Sequence, residues 1–73
     1  MEATAYDMAY VGSKIAVALV DQEMTQADLA QVVGVTPSTV SQWVSGEKRI
    51  SLDNAIKVSN ALGWPLDELL GRR

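Results

Sequence analysis

Hydrogen-bonding side chains are concentrated in one short stretch of the sequence, TPSTVSQWVS, which runs from Thr36 to Ser45. Its hydroxyls and the Gln42 amide can both donate and accept hydrogen bonds. Such groups can contact the polar edges of a partner, or they can simply hydrate a surface. The choice between these interpretations depends on the helices that position them.

Residues suited to catalysis or metal binding are scarce. The sequence contains no cysteine and no histidine, which removes disulfides, thiolate chemistry, Ser–His triads and typical zinc sites. Nine carboxylates remain, but they form no recognisable metal-binding loop or catalytic pattern. We therefore expect neither an enzyme nor a cofactor.

Length and composition predict one small folded domain over residues 1–73. A hydrophobic content of 48% is typical of a folded chain, and a core of this size depends on close helix packing or on a second subunit. No segment approaches the roughly 20 apolar residues that span a bilayer. The acidic start, MEATAYDMAY, lacks the basic region of a signal peptide. We expect a cytoplasmic protein without membrane contact.

The charge balance is acidic, with a net charge of -3 and a pI near 4.6. This argues against a protein that coats nucleic acid nonspecifically. Lys14 is the only cation before Gly46, and Lys48 and Arg49 come two and three residues after that glycine. Any phosphate contacts would therefore depend on few cations, together with backbone amides and hydroxyls.

Helical spacing and turn residues predict five short helices. Each of the first four is expected to start at a hydroxyl-bearing cap, at Thr4, Thr25, Thr36 and Ser51. The first should end near Glu23, and glycines should end the others at 34, 46, 63 and 71. The side chains expected to face the core are Met8, Val11, Ile15, Ala18, Leu19, Val20, Leu29, Ala30, Val33, Val40, Trp43, Leu52, Ala55, Val58, Ser59, Leu62, Leu66, Leu69 and Leu70.

The second and third helices have the spacing of a helix-turn-helix. Ala30 is small where the two helices would cross, and Gly34 permits the sharp turn between them. Val40 and Trp43 would anchor the second helix of the pair in the core, so we expect Trp43 to be buried. The opposite face would be left free for a DNA major groove. The alternative is an ordinary two-helix packing unit with hydrated serines.

The segments TQADLAQVVGVTPSTVSQWVSG and KRISLDNAIKVSNALGWPLDELLG resemble the Cro/repressor-type helix-turn-helix family, also called the XRE family. The resemblance implies an all-α fold, a compact five-helix bundle of the lambda-repressor-like type. Its helix-turn-helix would span about 25–45, and its C-terminal helices about 52–70. It also implies binding to double-stranded operator DNA as a homodimer.

The resemblance assigns roles to individual positions. The expected base contacts are Pro37, Ser38, Thr39 and Gln42. The expected phosphate contacts are Thr25, Gln26, Thr36, Ser41, Ser45, Lys48 and Arg49. A dimer face would comprise Ile56, Trp64 and Leu66, although these side chains could equally fill the edge of the core.

Two departures from the family pattern are visible. Val44 replaces a frequent glutamate, and Leu19 stands where that acid's arginine partner would lie. We expect an apolar Leu19–Val44 contact in place of the ion pair, because packed hydrophobes can substitute for a buried pair. The low number of cations predicts modest affinity per protomer and makes dimerisation more important.

The leading hypothesis is a transcription regulator, most simply a phage or mobile-element repressor that binds a palindromic operator. The sequence contains no effector domain, so we expect no small-molecule ligand. One alternative is an antitoxin that represses its own toxin–antitoxin operon. Another is a protein-interaction module that has lost DNA binding, which the acidic balance would favour.

Overall fold

Five α-helices follow one another in the computed structural model, which describes residues 7–71. They are α1 (Met8–Asp21), α2 (Gln26–Val33), α3 (Pro37–Ser45), α4 (Leu52–Leu62) and α5 (Leu66–Leu70). No strand occurs within the described range. The all-α, five-helix prediction is confirmed.

The predicted helix starts at Thr25, Thr36 and Ser51 are also confirmed. Each of these side chains accepts a hydrogen bond from the backbone N–H three residues later. Each bond satisfies one N–H group that has no partner inside its helix. The last helix begins one residue later than predicted, because Pro65 lies at its cap position.

The first helix differs from the prediction at both ends. Thr4 lies outside the described residues, and Asp7 has an extended backbone whose side chain accepts from the Ala9 N–H. Asp7 is therefore the cap of α1 rather than a helical residue of a Thr4 capping box. The helix ends at Asp21 rather than near Glu23, whose φ of 56° is left-handed and cannot continue a helix.

The core is formed by one apolar cluster to which every helix contributes. In the packing, α1 lies against α3 and α5, α2 lies against α3 and α4, and α4 lies against α5. The buried hydrophobic residues of the core are Val11, Ile15, Ala18, Leu19, Leu29, Ala30, Val33, Val40, Trp43, Ile50, Ala55, Val58, Leu62, Leu69 and Leu70. Trp43 is in the core, as predicted.

Four predicted core residues are not fully buried. Val20 is 79% exposed, because it follows Leu19 by about 100° around the helix and so leaves the buried stripe. Leu52 is 52% exposed, while Ile50, two residues earlier, is 2% exposed and occupies the core beneath the α3–α4 loop. Met8 and Leu66 are only half-buried.

Gly12 permits the close approach of α1 to α3. A Cβ atom at this buried position would lie 2.4 Å from the Val44 carbonyl oxygen and 2.5 Å from that of Trp43. These distances are too short for any side chain, so glycine here sets the separation of the two helices. None of the helices over residues 7–71 is both long and apolar enough to cross a membrane.

Candidate nucleic-acid interface

The turn between α2 and α3 is closed by the Ala30 carbonyl. This oxygen accepts hydrogen bonds from the N–H groups of Gly34, at 2.8 Å, and Val35, at 3.0 Å. Gly34 has a left-handed backbone, with φ 91° and ψ 32°, which a glycine adopts without steric cost. Val35 is half-buried against the core below the turn. The predicted helix-turn-helix geometry is present.

The start of α3 presents polar groups of unequal freedom. Pro37 and Ser38 are exposed, whereas Thr39 is half-buried. The Thr39 hydroxyl lies 2.9 Å from the Thr36 hydroxyl, which also accepts the Thr39 N–H at 3.2 Å. Ser38 therefore has the more available hydroxyl, while that of Thr39 already belongs to the helix cap.

Gln42 lies two turns from the Thr36 cap and is half-buried. Its side-chain amide makes no hydrogen bond to other residues in the described part of the chain. Ser41, beside it, is exposed. The Gln42 amide thus has both its donor and its acceptor available for a partner.

Hydrogen bonds to one backbone carbonyl connect the end of α3 to the loop that follows it. The Gln42 carbonyl accepts the N–H groups of Glu47, at 3.0 Å, and Lys48, at 3.2 Å. The same oxygen accepts the Ser45 hydroxyl at 3.2 Å. Because a hydroxyl has a single proton, Ser45 cannot donate to a phosphate while this bond persists. Lys48 and Arg49 are exposed in the loop.

The N-terminus of α2 is closed by a capping box. Thr25 Oγ1 accepts the Asp28 N–H, and the Asp28 carboxylate accepts the Thr25 N–H, each at 3.0 Å. The backbone N–H of Thr25, together with its hydroxyl, holds the pKa of the Asp28 carboxyl below its ordinary value of 3.8. Within residues 7–71 the N–H groups of Gln26 and Ala27 have no acceptor, which is the arrangement that suits an anion.

The predicted dimer-face residues differ in exposure. Ile56 is 43% exposed, and Leu52 lies one turn before it on α4. Trp64 and Leu66 are half-buried and pack against the core. The Lys14 ammonium lies 5.4 Å from the centre of the Trp64 ring and 5.5 Å from that of Tyr10, which is cation–π distance. Trp64 thus contacts the core and Lys14 within the protomer while part of its surface stays exposed, and the most exposed apolar side chains of this region are on α4.

The Leu19–Val44 prediction concerns two residues of the same core. Leu19 is buried, and Val44 is half-buried against the apolar cluster. Neither side chain is fully exposed. A direct contact between them stays a prediction.

Sequence reasoning missed Ile50, although a signal was present. Ile50 immediately precedes the Ser51 cap, and Ala55 lies four residues into α4. These are the two positions of a hydrophobic staple. Both residues are buried, so the staple pattern identifies the residue that anchors the cationic loop.

Most of the chain matches a known protein family. Residues 15–69 match the family model described as Helix-turn-helix. Among curated proteins, the chain is 35% identical over 48 residues to the cryptic phage CTXphi transcriptional repressor RstR of Vibrio cholerae serotype O1. The match covers 66% of this chain and 43% of RstR. The chain thus spans less than half the length of this relative.

Solved structures share the fold over most of the chain. The restriction-modification controller protein C.AhdI from Aeromonas hydrophila is 27% identical, with a TM-score of 0.82 over 86% of this chain and 96% of C.AhdI. The P22 c2 repressor, solved in complex with a synthetic operator, is 32% identical. Its TM-score is 0.78, over 82% of this chain and 91% of the repressor.

Proposed function

Because the chain belongs to the Cro/repressor-type (XRE) helix-turn-helix family, we propose that it is a sequence-specific, double-stranded DNA-binding repressor of the phage type that acts in the cytoplasm. The family and the fold are those of transcription regulators. The observation that carries the proposal is the two-sided α3. Val40 and Trp43 are buried on one side. On the other side lie Ser38 and Gln42, whose side chains form no hydrogen bond within residues 7–71.

Base recognition is assigned to the exposed edge of α3. Gln42 is the principal candidate, since its amide can donate to N7 and accept from N6 of adenine in the complementary sense that a bidentate pair requires. Ser38 adds an available hydroxyl. Pro37 and the Thr39 methyl supply apolar contacts for a thymine methyl group.

Phosphate binding is assigned to the two helix starts and the loop after α3. The Gln26 and Ala27 N–H groups, which have no acceptor within residues 7–71, and the Gln26 side chain would hold one phosphate, with Thr25 beside them. Lys48 and Arg49 would contact another. Thr36 and Ser41 border the same face. Ser45 would contribute only after exchanging its bond to the Gln42 carbonyl.

A homodimer would provide the affinity that one weakly cationic protomer lacks. We assign its interface to Ile56, Trp64 and Leu66, with Leu52 added because it lies exposed one turn from Ile56. Two α3 helices would then enter successive major grooves of a palindromic operator. Burial of the exposed α4 side chains in the dimer is the driving force.

Selection of binding sites from random duplexes by the purified chain tests this function. We expect a palindromic consensus, and we expect Gln42→Ala to lose the preference at one base pair of each half-site. Gln31→Ala is the matched control, because Gln31 is an exposed amide on α2 outside the assigned site. A chain that enriches no sequence even at low salt is not a DNA-binding regulator. That outcome would favour the protein-interaction alternative.

A further inference from the structure

The C-terminal half of α1 carries apolar side chains on its outer side. Val17 is 59% exposed and Val20, one turn later, is 79% exposed. With Ala16 and Asp21 they line an open groove of about 410 Å³, which we name the α1 groove. None of the residues assigned to DNA contact or to the dimer face belongs to it.

The composition of the α1 groove brings little benefit to the isolated chain. Valine is β-branched and restricted in a helix, so an exposed helical valine contributes neither favourable helix propensity nor buried area. Two such residues one turn apart form a continuous apolar strip. Single exposed apolar residues are ordinary on a protein surface, whereas this strip borders a groove in which the apolar side chains of a partner would bury it.

The charges beside the α1 groove are acidic where a helix favours cations. Asp21 is the last residue of α1, and the last turn contains no basic residue. The partial negative charge of a helix C-terminus disfavours a carboxylate there. Glu23 adds a second acid in a left-handed conformation that is unfavourable for a non-glycine residue. Neither acid forms an ion pair with another described residue. Local preferences broken together in this way are typical of functional surfaces.

We propose that the α1 groove docks a protein partner through a helical segment whose apolar side chains are flanked by lysine or arginine. Apolar side chains would fill the groove over Val17 and Val20, and the flanking cations would pair with Asp21 and Glu23. Such complementarity of charge around an apolar centre gives both specificity and fast association.

The same charges exclude two other occupants. A second copy of the chain paired about a two-fold axis at this groove would bring like acids together. Lys14, the one cation of α1, is already placed over the Tyr10 and Trp64 rings. DNA phosphates would be repelled by Asp21 and Glu23. A basic partner satisfies both the apolar strip and the acids.

Selection from a displayed library of randomised helical peptides on the 73-residue chain tests this proposal. We expect enriched peptides to carry apolar residues one turn apart with lysine or arginine beside them. Their affinity should fall at least about tenfold on a Val17→Asn/Val20→Asn double variant, because these side chains would form the centre of the contact. Val32→Asn, at a 63% exposed valine of α2, is the matched control and should bind like the unchanged chain.

A charge variant keeps the test independent of valine packing. Asp21→Lys should shift the selected peptides from basic to acidic flanks. The proposal is overturned if no peptide is enriched, if binding is insensitive to the double variant, or if self-association of the chain depends on Val17 and Val20. Duplex selection with the double variant should return the wild-type consensus, so failure here is distinguishable from failure of DNA binding.

Discussion

Gly12 illustrates how a single missing side chain can set the spacing of two helices. In an isolated helix, glycine is less favourable than alanine by about 1 kcal/mol. In this fold the position is buried, and the carbonyl oxygens of Trp43 and Val44 occupy the space that a Cβ atom would need. The tertiary contact therefore outweighs the local preference. Because α3 carries the proposed base contacts, Gly12 also sets the position of those contacts relative to α1.

We predict that Gly12→Ala destabilises the chain despite its better helix propensity. The added methyl group must push α1 away from backbone atoms of α3, and overpacking of this kind costs about 1–3 kcal/mol. Urea unfolding followed by circular dichroism measures the effect. Ser13→Ala, at the next and exposed position, should change stability by less than about 0.5 kcal/mol. Increased stability in Gly12→Ala would contradict the close α1–α3 packing.

The polar residues of α3 show which parts of a site depend on the folded structure. The sequence predicted base contacts for Ser38, Thr39 and Gln42 and a phosphate contact for Ser45, all through their polar side chains. The structure separates them, because Thr39 and Ser45 use their hydroxyls at the two ends of the helix. Serine and threonine compete for nearby backbone groups in this way. Residue type alone therefore does not identify which hydroxyls remain available.

Among the helices, α2 has a start whose stability depends on pH. The bonds from Thr25 lower the pKa of Asp28, so the folded state binds a proton at this carboxyl less readily than the unfolded state does. The stabilisation is fully present above the ordinary pKa of 3.8. It is lost as the pH falls through the lowered value of the folded state.

We predict that Thr25→Ala reduces stability by about 1 kcal/mol at neutral pH through loss of the cap. The difference from the unchanged chain should narrow as the pH falls from 3.8 through the lowered pKa of folded Asp28, because the variant lacks the hydroxyl that helps the Thr25 N–H to lower this pKa. Thermal unfolding between about pH 2 and about pH 7 measures both effects. Thr25→Ser should retain the cap. An unchanged gap at low pH would indicate that the capping box does not titrate.

The α3–α4 loop depends on one buried residue. We predict that Ile50→Val lowers stability by about 0.5–1.5 kcal/mol, the usual cost of removing one buried methylene. Ile56→Val makes the same chemical change at a 43% exposed position and should cost less than about 0.5 kcal/mol. Denaturant unfolding of the pair measures the difference. Equal costs at both sites would contradict the anchoring role of Ile50.

Helix starts and the helix-turn-helix could be predicted because they depend on neighbouring residues. Thr25, Thr36 and Gly34 fix their own caps and turn within a few positions. The choice between Ile50 and Leu52 as the core residue depends instead on the path of the loop, which neither residue determines alone. The role of Gly12 depends on α3, more than 30 residues away. Contacts between distant segments were thus the part that local pattern could not supply.

At the scale of the whole molecule, the distribution of charge limits the proposed DNA binding. The chain has a net charge of -3, and the cations of the proposed interface are Lys48 and Arg49. Most of the phosphate contacts would therefore be hydrogen bonds from neutral N–H groups and hydroxyls, and such contacts displace few counterions from the DNA.

We predict a shallow salt dependence for operator binding by the dimer. Two cations in each protomer give about four charged phosphate contacts, so the slope of log K against log salt should be about -4. Lys48→Gln should change this slope from about -4 to about -2, because the proposed dimer loses two phosphate contacts. Fluorescence anisotropy across a salt series provides the measurement. Lys57→Gln is the control, since Lys57 pairs with Asp53 at 3.6 Å on α4. A slope near -8 would require cations that the proposed interface lacks.

Gln42 has two proposed roles, one through its backbone carbonyl and one through its side chain. Its carbonyl holds the N–H of Lys48, while its side chain is the proposed contact to a base. A wrong base pair that shifts α3 by clashing with this side chain would also move the Gln42 carbonyl and draw the loop away from its phosphate. The free-energy penalty for a mismatched base pair would then include the loss of the Lys48–phosphate contact, although a phosphate contact by itself does not distinguish one base from another. Fidelity in such a small protein can exceed what one amide–base pair would provide.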